Sequence, residues 1–561
     1  MEQQTNQKYC TTINGNTEEV LLGIKKSAQK IANIVSQTAG PYGHNIQLIN
    51  GRNTRITKDG ISVLRSMTEP ETESDFIALS VIRSASDETN RKAGDGTTAT
   101  CILSNEVFQQ GFQFLTAGIN GNLLRKGIVK ASELAQKMVE EKLATPVNGE
   151  NDIFNIAKVS ANGDTEIAKI LTDVFAKIGK DGTARVELSN TDKTTSKIVY
   201  GMTFDRGMES TYFATNEHGE AVLDNPVILV VNKRLSVLGE LLKPFEALAK
   251  MNRPILVIAD GYEQDILNTF VVNKLRGLPI CVVLAPSWNP YKTEMMKDIA
   301  LITGAKVISP ETGVKLEDIA TDPTIVGTAK QVIVNGESTS IIVNPDVVNG
   351  EDFNKRMAEI ESQLNNEKLE DQERNILRTR KARLSGGIGV ISVGGATEAE
   401  MHEKKDLVDD AFASVSSAQK KGFVPGSGLT YLAVNHYLYD WLNEHVSELS
   451  QEEAAGFKVF ADALTKPFLV ICENSGRQNA QFALGCIQNA NGTDDKEIKT
   501  WTKGIDLGSG EPIDVVAQGV IDSASAVIET IKNAASAGAQ LLSLSGVVNT
   551  PLKPMPMPPQ M

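Results

Sequence analysis

Apolar residues between Thr17 and Thr38 (Val20, Leu21, Ile24, Ala28, Ile31, Ile34 and Val35) recur at helical spacing, which predicts an amphipathic helix. It stops at Ala39-Gly40-Pro41, where glycine can take a left-handed cap and proline cannot continue the helix. The helical rhythm resumes over about 72–142, broken by a loop at Ala93-Gly94-Asp95-Gly96. The middle of the chain changes character. Short β-branched runs at Pro226–Val231, Pro254–Ile258, Ile280–Leu284 and Gln331–Val334 alternate with helical segments, predicting an α/β region. A charged segment from Asp352 to Leu384 has few breakers and reads as a long, solvated helix pair. A strand at Ile388–Val393 follows, then helical sequence to about 489, an Ala/Ser-rich helix in the 530s and a strand-like Val547-Val548. The tail Pro551–Pro559 suits neither a helix nor a central strand. Two helical ends, 1–142 and 421–561, thus flank an α/β centre. The pattern leaves open whether the ends are separate domains or one domain to which the chain returns.

With 561 residues, the chain exceeds one core and suits about three to five units. A hydrophobic share of 41% with 22% charged residues is an ordinary globular balance, excluding fibrous and disordered classes. No run approaches the ~18 apolar residues of a membrane span. The N-terminal MEQQTNQKYCTTING has neither a basic segment nor an apolar stretch, so no secretory signal is expected and the expected location is a cytoplasm, bacterial or of an infected host. Cys10, Cys101, Cys281, Cys472 and Cys486 form no C-x-x-C pair and read as free thiols in a reducing compartment. No H-E-x-x-H is present to suggest zinc. A net charge of −14 and the lack of a basic, aromatic-interleaved strip argue against nucleic acid as the partner.

Three Gly/Asp-rich turns carry the candidate chemistry: Thr38–Gly43, Thr57-Lys58-Asp59-Gly60 and Gly94-Asp95-Gly96-Thr97-Thr98. Each offers unobstructed backbone N–H groups near a helix start, an arrangement that cradles phosphate oxygens. The Thr97 and Thr98 hydroxyls add donors, and Asp95 suits Mg²⁺, which takes one or two carboxylates plus phosphate oxygens. There is no G-x-x-x-x-G-K-[ST], which excludes a P-loop, and no dinucleotide fingerprint.

In order and spacing, these turns resemble the ATP site of the group I chaperonins. So do Val159-Ser-Ala-Asn162, Gly201–Gly207, Gly394–Met401, Lys404–Ala411, Gly422–Gly426 and Gly519–Asp522. The resemblance covers about residues 18–548. It implies a multidomain α and α/β chaperonin fold: a mainly helical equatorial ATPase domain (1–142 and 421–561), a small α/β intermediate domain (143–199 and 388–420) and an α/β apical domain (200–387). It implies that phosphates lie over Thr38, Ala39, Gly40, Pro41, Gly96, Thr97, Thr98 and Ala99, with Mg²⁺ on Asp95 and K⁺ near Thr38, Lys58 and Thr98. Asp59 and Asp410 would orient and deprotonate the attacking water. Base and ribose would meet Val159, Gly426, Ser427, Ile471, Ile505, Asp506, Leu507, Val520 and Asp522. Departures from the family pattern are Ala39, Tyr42, Ala99, Ser427 and Ile505-Asp506-Leu507-Gly508.

Two central segments are rich in apolar residues. Leu235–Leu248 carries Leu235, Leu238, Leu241, Leu242, Phe245 and Leu248, with Pro244 expected to bend it; Ile266–Leu275 adds a second stripe. By themselves both stripes read as faces packed on the sheet. The resemblance instead implies that Met208, Tyr212, Phe213, Leu242, Phe245, Leu267, Val271 and Val272 bind non-native client proteins and a co-chaperonin lid, rimmed by Glu263 and Asp265. It also implies a homo-oligomeric ring of seven subunits, free of nucleic acid and membrane. The altered Ser287–Lys292 loop and the Pro/Met tail mark an outlying member, viral or divergently bacterial. The expected function is an ATP-dependent folding chaperone; the alternative is a ring-forming client-binding scaffold with weak or no ATPase activity.

Overall fold

A computed structural model describes residues 12–14, 17–50, 53–68, 70–180, 182–189, 191–216, 219–286, 291–343, 350–365, 371–385, 387–476, 479–491 and 501–549. Cys10, most of the altered loop (287–290) and the Pro/Met tail lie outside them. The chain forms two compact units: 1–172 with 190–192 and 393–561, and 173–189 with 193–392.

The first unit opens with β1 (Thr12–Asn14), α1 (Thr17–Ser36) and the hairpin β2 (Ile46–Asn50) and β3 (Asn53–Thr57). Then come α2 (Gly60–Ser66), α3 (Glu73–Ala93), α4 (Thr97–Thr116) and α5 (Gly121–Met138), the last running on through a π turn at Val139–Leu143. In α1 the predicted stripe is the buried one, with Val20, Leu21, Ile24, Ala28, Ile31 and Val35 inside and only Ile34 exposed. Helices α6 (Glu150–Ser160) and α7 (Thr165–Ile178) follow, and the chain passes out of this unit within α7.

The second unit contains β4 (Thr183–Leu188), β5 (Thr195–Phe204), β6 (Ala221–Asp224), β7 (Val227–Leu235), α8 (Leu238–Lys250), β8 (Ile255–Tyr262), α9 (Gln264–Leu275) and β9 (Ile280–Leu284). It continues with α10 (Tyr291–Thr303), β10 (Val307–Ile308), β11 (Gly327–Thr328), β12 (Gln331–Val334), β13 (Thr339–Ile342), α11 (Glu351–Leu364), α12 (Asp371–Ser385) and β14 (Gly387–Val393). Strands β10-β7-β8-β9 run parallel in a five-stranded sheet, with Val227 opposite Ile255 and Ile255 opposite Ile280, and β11 pairs antiparallel with β7. Burial on both faces explains why these strands read as continuous apolar runs. A six-stranded sheet has the order β4-β14-β5-β13-β12-β6.

Pro244, expected to bend the segment, lies inside helix α8, which runs from Leu238 to Lys250. The charged helices α11 and α12 are not wholly solvated, as their sequence suggested. Phe353, Ile360, Leu377 and Leu384 are buried, and Asp298 of α10, fully buried, accepts from Arg356 (2.9 Å) and Arg380 (2.8 and 3.0 Å). A carboxylate buried this deeply is tolerated because two guanidinium groups satisfy it.

The chain re-enters the first unit with α13 (Glu398–Lys421), β15 (Phe423–Pro425), α14 (Leu429–His445), α15 (Gln451–Ala463), α16 (Lys466–Ser475) and α17 (Ala480–Asn491). Strands β16 (Lys503–Ile505), β17 (Pro512–Asp514) and β18 (Ile521–Ser523) precede α18 (Ala524–Leu542) and β19 (Val547–Asn549). Helix α18 packs on α3, α4 and α5, and β19 pairs antiparallel with β1, so residues of both chain ends share one core. Close approach requires the small residues of α18: a Cβ added to Gly538 would lie 2.5 Å from a Val107 methyl.

Candidate functional site

A cavity of about 530 Å³ opens within the first unit, and the three Gly/Asp-rich turns converge on its wall. The turn after α1 is held by Asn474 of α16, whose amide donates to the carbonyls of Ser36 (2.8 Å) and Ala39 (2.9 Å). Gly40 has φ +77°, and a Cβ there would also press on Ile471 at 3.1 Å. Buried Thr38 donates to the Val35 carbonyl at 2.9 Å and lies 3.4 Å from the Thr98 hydroxyl.

The second turn caps α2. Asp59 accepts from the N–H groups of Ile61 (3.2 Å) and Ser62 (3.0 Å), one on each carboxylate oxygen, which fixes the orientation of its carboxylate. Lys58 donates to the Pro41 carbonyl at 3.2 Å, joining the first two turns. Burial lowers the proton affinity of Lys58, with Glu403 acting in the opposite sense.

The third turn places Gly96, at φ +88°, as the cap of α4, and no side chain completes that cap. The first-turn N–H groups of α4 are therefore available to an anion. Asp95 accepts from Gly96 N–H at 2.5 Å and from the Ser160 hydroxyl at 2.9 Å. Burial raises its pKa; those two bonds act against the rise and the Asp59 charge adds to it.

Helix α13 supplies Glu403, Asp406, Leu407 and Asp410 to the cavity, spaced to lie on one helical face. Burial pushes the Asp410 carboxyl well above the ordinary range, reinforced by the charges of Asp59, Asp95 and Asp406. Asp522, on β18, is raised to about 7 by burial and then by Asp95. The cavity is also lined by the apolar residues Val159, Ile471, Ile505, Leu507 and Val520, with Ala39 and Ala99 in or next to the turns.

Every residue expected to touch nucleotide lines this cavity except Gly426. That glycine is buried behind the wall, its N–H bonded to the Val520 carbonyl at 3.0 Å. Ser427 lines the cavity in a left-handed conformation, φ +57°, where glycine is the easier residue. Asp506 is exposed at the rim, and one of its oxygens accepts from Gly508 and Ser509 N–H to close a turn. Asn474, Ser160, Tyr431, Glu403 and Asp406 escaped sequence reasoning. Ser160 sits inside the Val159–Asn162 motif and Asp406 inside the Lys404–Ala411 motif, which gave those two a usable signal.

So many carboxylates in one cavity favour a cation that offsets their repulsion. Among the described residues no three His, Cys, Asp or Glu side chains could hold a metal by themselves. The carboxylate oxygens of Asp59, Asp95 and Asp410 are hard donors, of the kind that suits a hard cation.

The expected apolar face lies on the second unit and divides. Tyr212 (64% exposed), Leu242 (56%) and Val272 are open to solvent, while Met208, Phe245, Leu267 and Val271 are half-buried. Phe213 departs from expectation. It is fully buried beside exposed Tyr212 in the 3-10 turn Thr211–Phe213, whose successive side chains leave the axis in different directions. The rings of Phe245 on α8 and Phe270 on α9 pack in a tilted pair with centroids 5.0 Å apart, which keeps the exposed residues on a firm base. Of the two rim acids, Glu263 pairs with Arg234 at 2.8 Å and Asp265 is exposed.

No helix among the described residues is long and apolar enough to cross a membrane. A search of solved structures finds the chaperonin gp146 from the bacteriophage EL 2 (Pseudomonas aeruginosa), crystallised in the presence of ATP-BeFx. It is 20% identical over 96% of this chain and 99% of that one, with a TM-score of 0.72, so the two share a fold. The model of the TCP-1/cpn60 chaperonin family matches residues 31–551. On that match, spanning nearly all of the sequence, the chain belongs to the TCP-1/cpn60 chaperonin family.

Proposed function

We propose that this chaperonin hydrolyses ATP in the cavity of its first unit and couples that cycle to capture and release of non-native proteins within a homo-oligomeric ring. The observation that carries the reading is the convergence of three phosphate-cradling turns with carboxylates from opposed elements, Asp59 on the cap of α2 and Asp410 on α13. The phage chaperonin of the same fold was crystallised in the presence of ATP-BeFx, which supports nucleotide as the occupant.

In this reading the triphosphate lies against the Thr38–Pro41 turn and the start of α4, whose N–H groups neutralise phosphate charge. Asp59, fixed by two backbone N–H bonds, orients a water molecule. Asp410, whose proton affinity is raised by burial and neighbouring acids, takes the proton as the water oxygen bonds to the γ-phosphorus. The bond from that phosphorus to the bridging oxygen breaks, and ADP leaves with its electron pair. Mg²⁺ on Asp95, with K⁺ near Thr38, Lys58 and Thr98, would supply charge neutralisation of the phosphates. Asp522 and the apolar wall would hold ribose and base.

The equatorial, intermediate and apical division belongs to the same reading, with α13 as the intermediate element that carries Asp410. Tyr212, Leu242, Val271 and Val272 would receive exposed apolar segments of clients, and a co-chaperonin lid would compete for them. A second reading, a client-binding scaffold with little turnover, is favoured by Ala99, which removes a hydroxyl, and by Ile505, which places an aliphatic side chain on the base wall. Potassium-dependent ATPase assays separate the two. Asp410→Ala should lower turnover by about 10²–10⁴-fold, as expected for loss of a general base. Equal, negligible turnover in wild type and variant would sink the hydrolysis claim and leave the scaffold.

A further inference from the structure

An ion pair at the edge of the cavity has no part in the hydrolysis reading above. Arg55 lies on β3, two residues before Thr57 and four before Asp59. Its guanidinium donates to the carboxylate of Asp406 on α13. Asp406 stands four residues before Asp410, so both project from the same face of α13. One charge pair thus ties the strand that leads to Asp59 to the helix that carries Asp410, and β3 and α13 lie against each other where it forms.

The surroundings show what the pair does. Without Arg55, the α13 face turned to the hairpin would present Glu403, Asp406 and Asp410 to Asp59, all of one sign. Burial raises the proton affinity of Asp406 and the Asp59 charge adds to it, while Arg55, Lys405 and His402 act in the opposite sense. Arg55 therefore converts a repulsive contact into an attractive one. Both partners keep partial access to water, so the pair contributes little global stability and can open without unfolding the unit.

We propose that Arg55 and Asp406 are positioning residues, a latch that holds α13 on the β2–β3 hairpin and so keeps Asp410 facing Asp59. The proposal rests on the ATP-hydrolysis reading for its kinetic consequence but not for its structural one, and the two are tested separately. In the full-length protein, Arg55→Ala and Asp406→Asn are each compared with wild type and with the exchanged pair Arg55→Asp/Asp406→Arg. Hydrogen exchange over residues 398–412 should quicken several-fold in both single variants and recover in the exchanged pair. Turnover should fall about tenfold or more, with KM for ATP changed less than threefold, because misplacing a catalytic group costs rate rather than binding.

Unchanged exchange in both single variants overturns the latch. So does faster exchange with normal turnover, since the pair would then be structural only. If one single variant fails to fold, the other and the exchanged pair still decide. A wild type that binds ATP but never hydrolyses it defeats the hydrolysis reading instead, and the exchange measurement alone then judges the latch.

Discussion

The acid-lined cavity of the first unit and the apolar face of the second pose opposite physical problems. In the cavity, burial raises the proton affinities of Asp95, Asp410 and Asp522, and the charges of neighbouring acids add to the rise. On the face, apolar groups are left in water on helices whose other side is core. Part of the cavity is fixed by hydrogen bonds, with Asp59 held on the α2 amides and Asp95 on Gly96 and Ser160. The face is adaptable because its exposed members have no partner to satisfy. The proposed chemistry needs fixed geometry; the proposed capture of varied segments needs only accessible apolar area.

The sharpest break in this comparison comes from two adjacent aromatic residues. Phe213→Ala should destabilise the second unit by about 3–5 kcal/mol, the cost of emptying a filled core site. Tyr212→Ala should change stability by less than about 0.5 kcal/mol, yet weaken binding of an unfolded client. Chemical denaturation and a client-aggregation assay on both variants test the pair. Equal stability losses would mean that Tyr212 is no part of an open face.

A smaller effect separates the cavity by pH. The Asp522 carboxyl, ordinarily near 3.8, is raised to about 7 by burial and Asp95. The folded chain therefore keeps a proton that the unfolded chain has released. This contribution to stability is complete below about pH 4 and is lost as pH rises through 7. Melting curves of nucleotide-free wild type and Asp522→Asn should diverge across that window, wild type losing ground as pH rises. Parallel curves would show that Asp522 is solvated.

The smallest change expected is at Ser427. Replacing it by glycine should stabilise the first unit by about 0.5–1 kcal/mol, the left-handed cost of a Cβ less the added entropy of an unfolded glycine. Destabilisation on that substitution would mean the serine side chain holds the cavity wall.

Much of the first unit is readable from the chain. The α1 stripe, the break at Ala93–Gly96 and the three turns are local patterns, and local patterns survive folding because hydrogen bonds and φ preferences act over a few residues. The parallel strands were legible for a similar reason, as short β-branched runs buried on both faces. The α8 and α9 stripes were not. Leu241 and Leu242 are neighbours of nearly identical chemistry, yet one is core and the other 56% exposed. Nor was it legible that the charged α11 and α12 are anchored through Arg356 and Arg380 to a buried aspartate more than fifty residues away in sequence.

By itself, then, the sequence determined the helical and strand segments, the phosphate-type turns and the acids Asp59, Asp95 and Asp410, because spacing along the chain encodes each of them. Tertiary structure alone decided that the two ends share one core, that Asp410 meets Asp59 in one cavity and that Arg55 reaches Asp406. It also decided that Phe213 is hidden while Tyr212 is exposed. The reason is common to all four: each depends on which surfaces meet between segments distant in the chain, and neither periodicity nor composition records the far side of a contact.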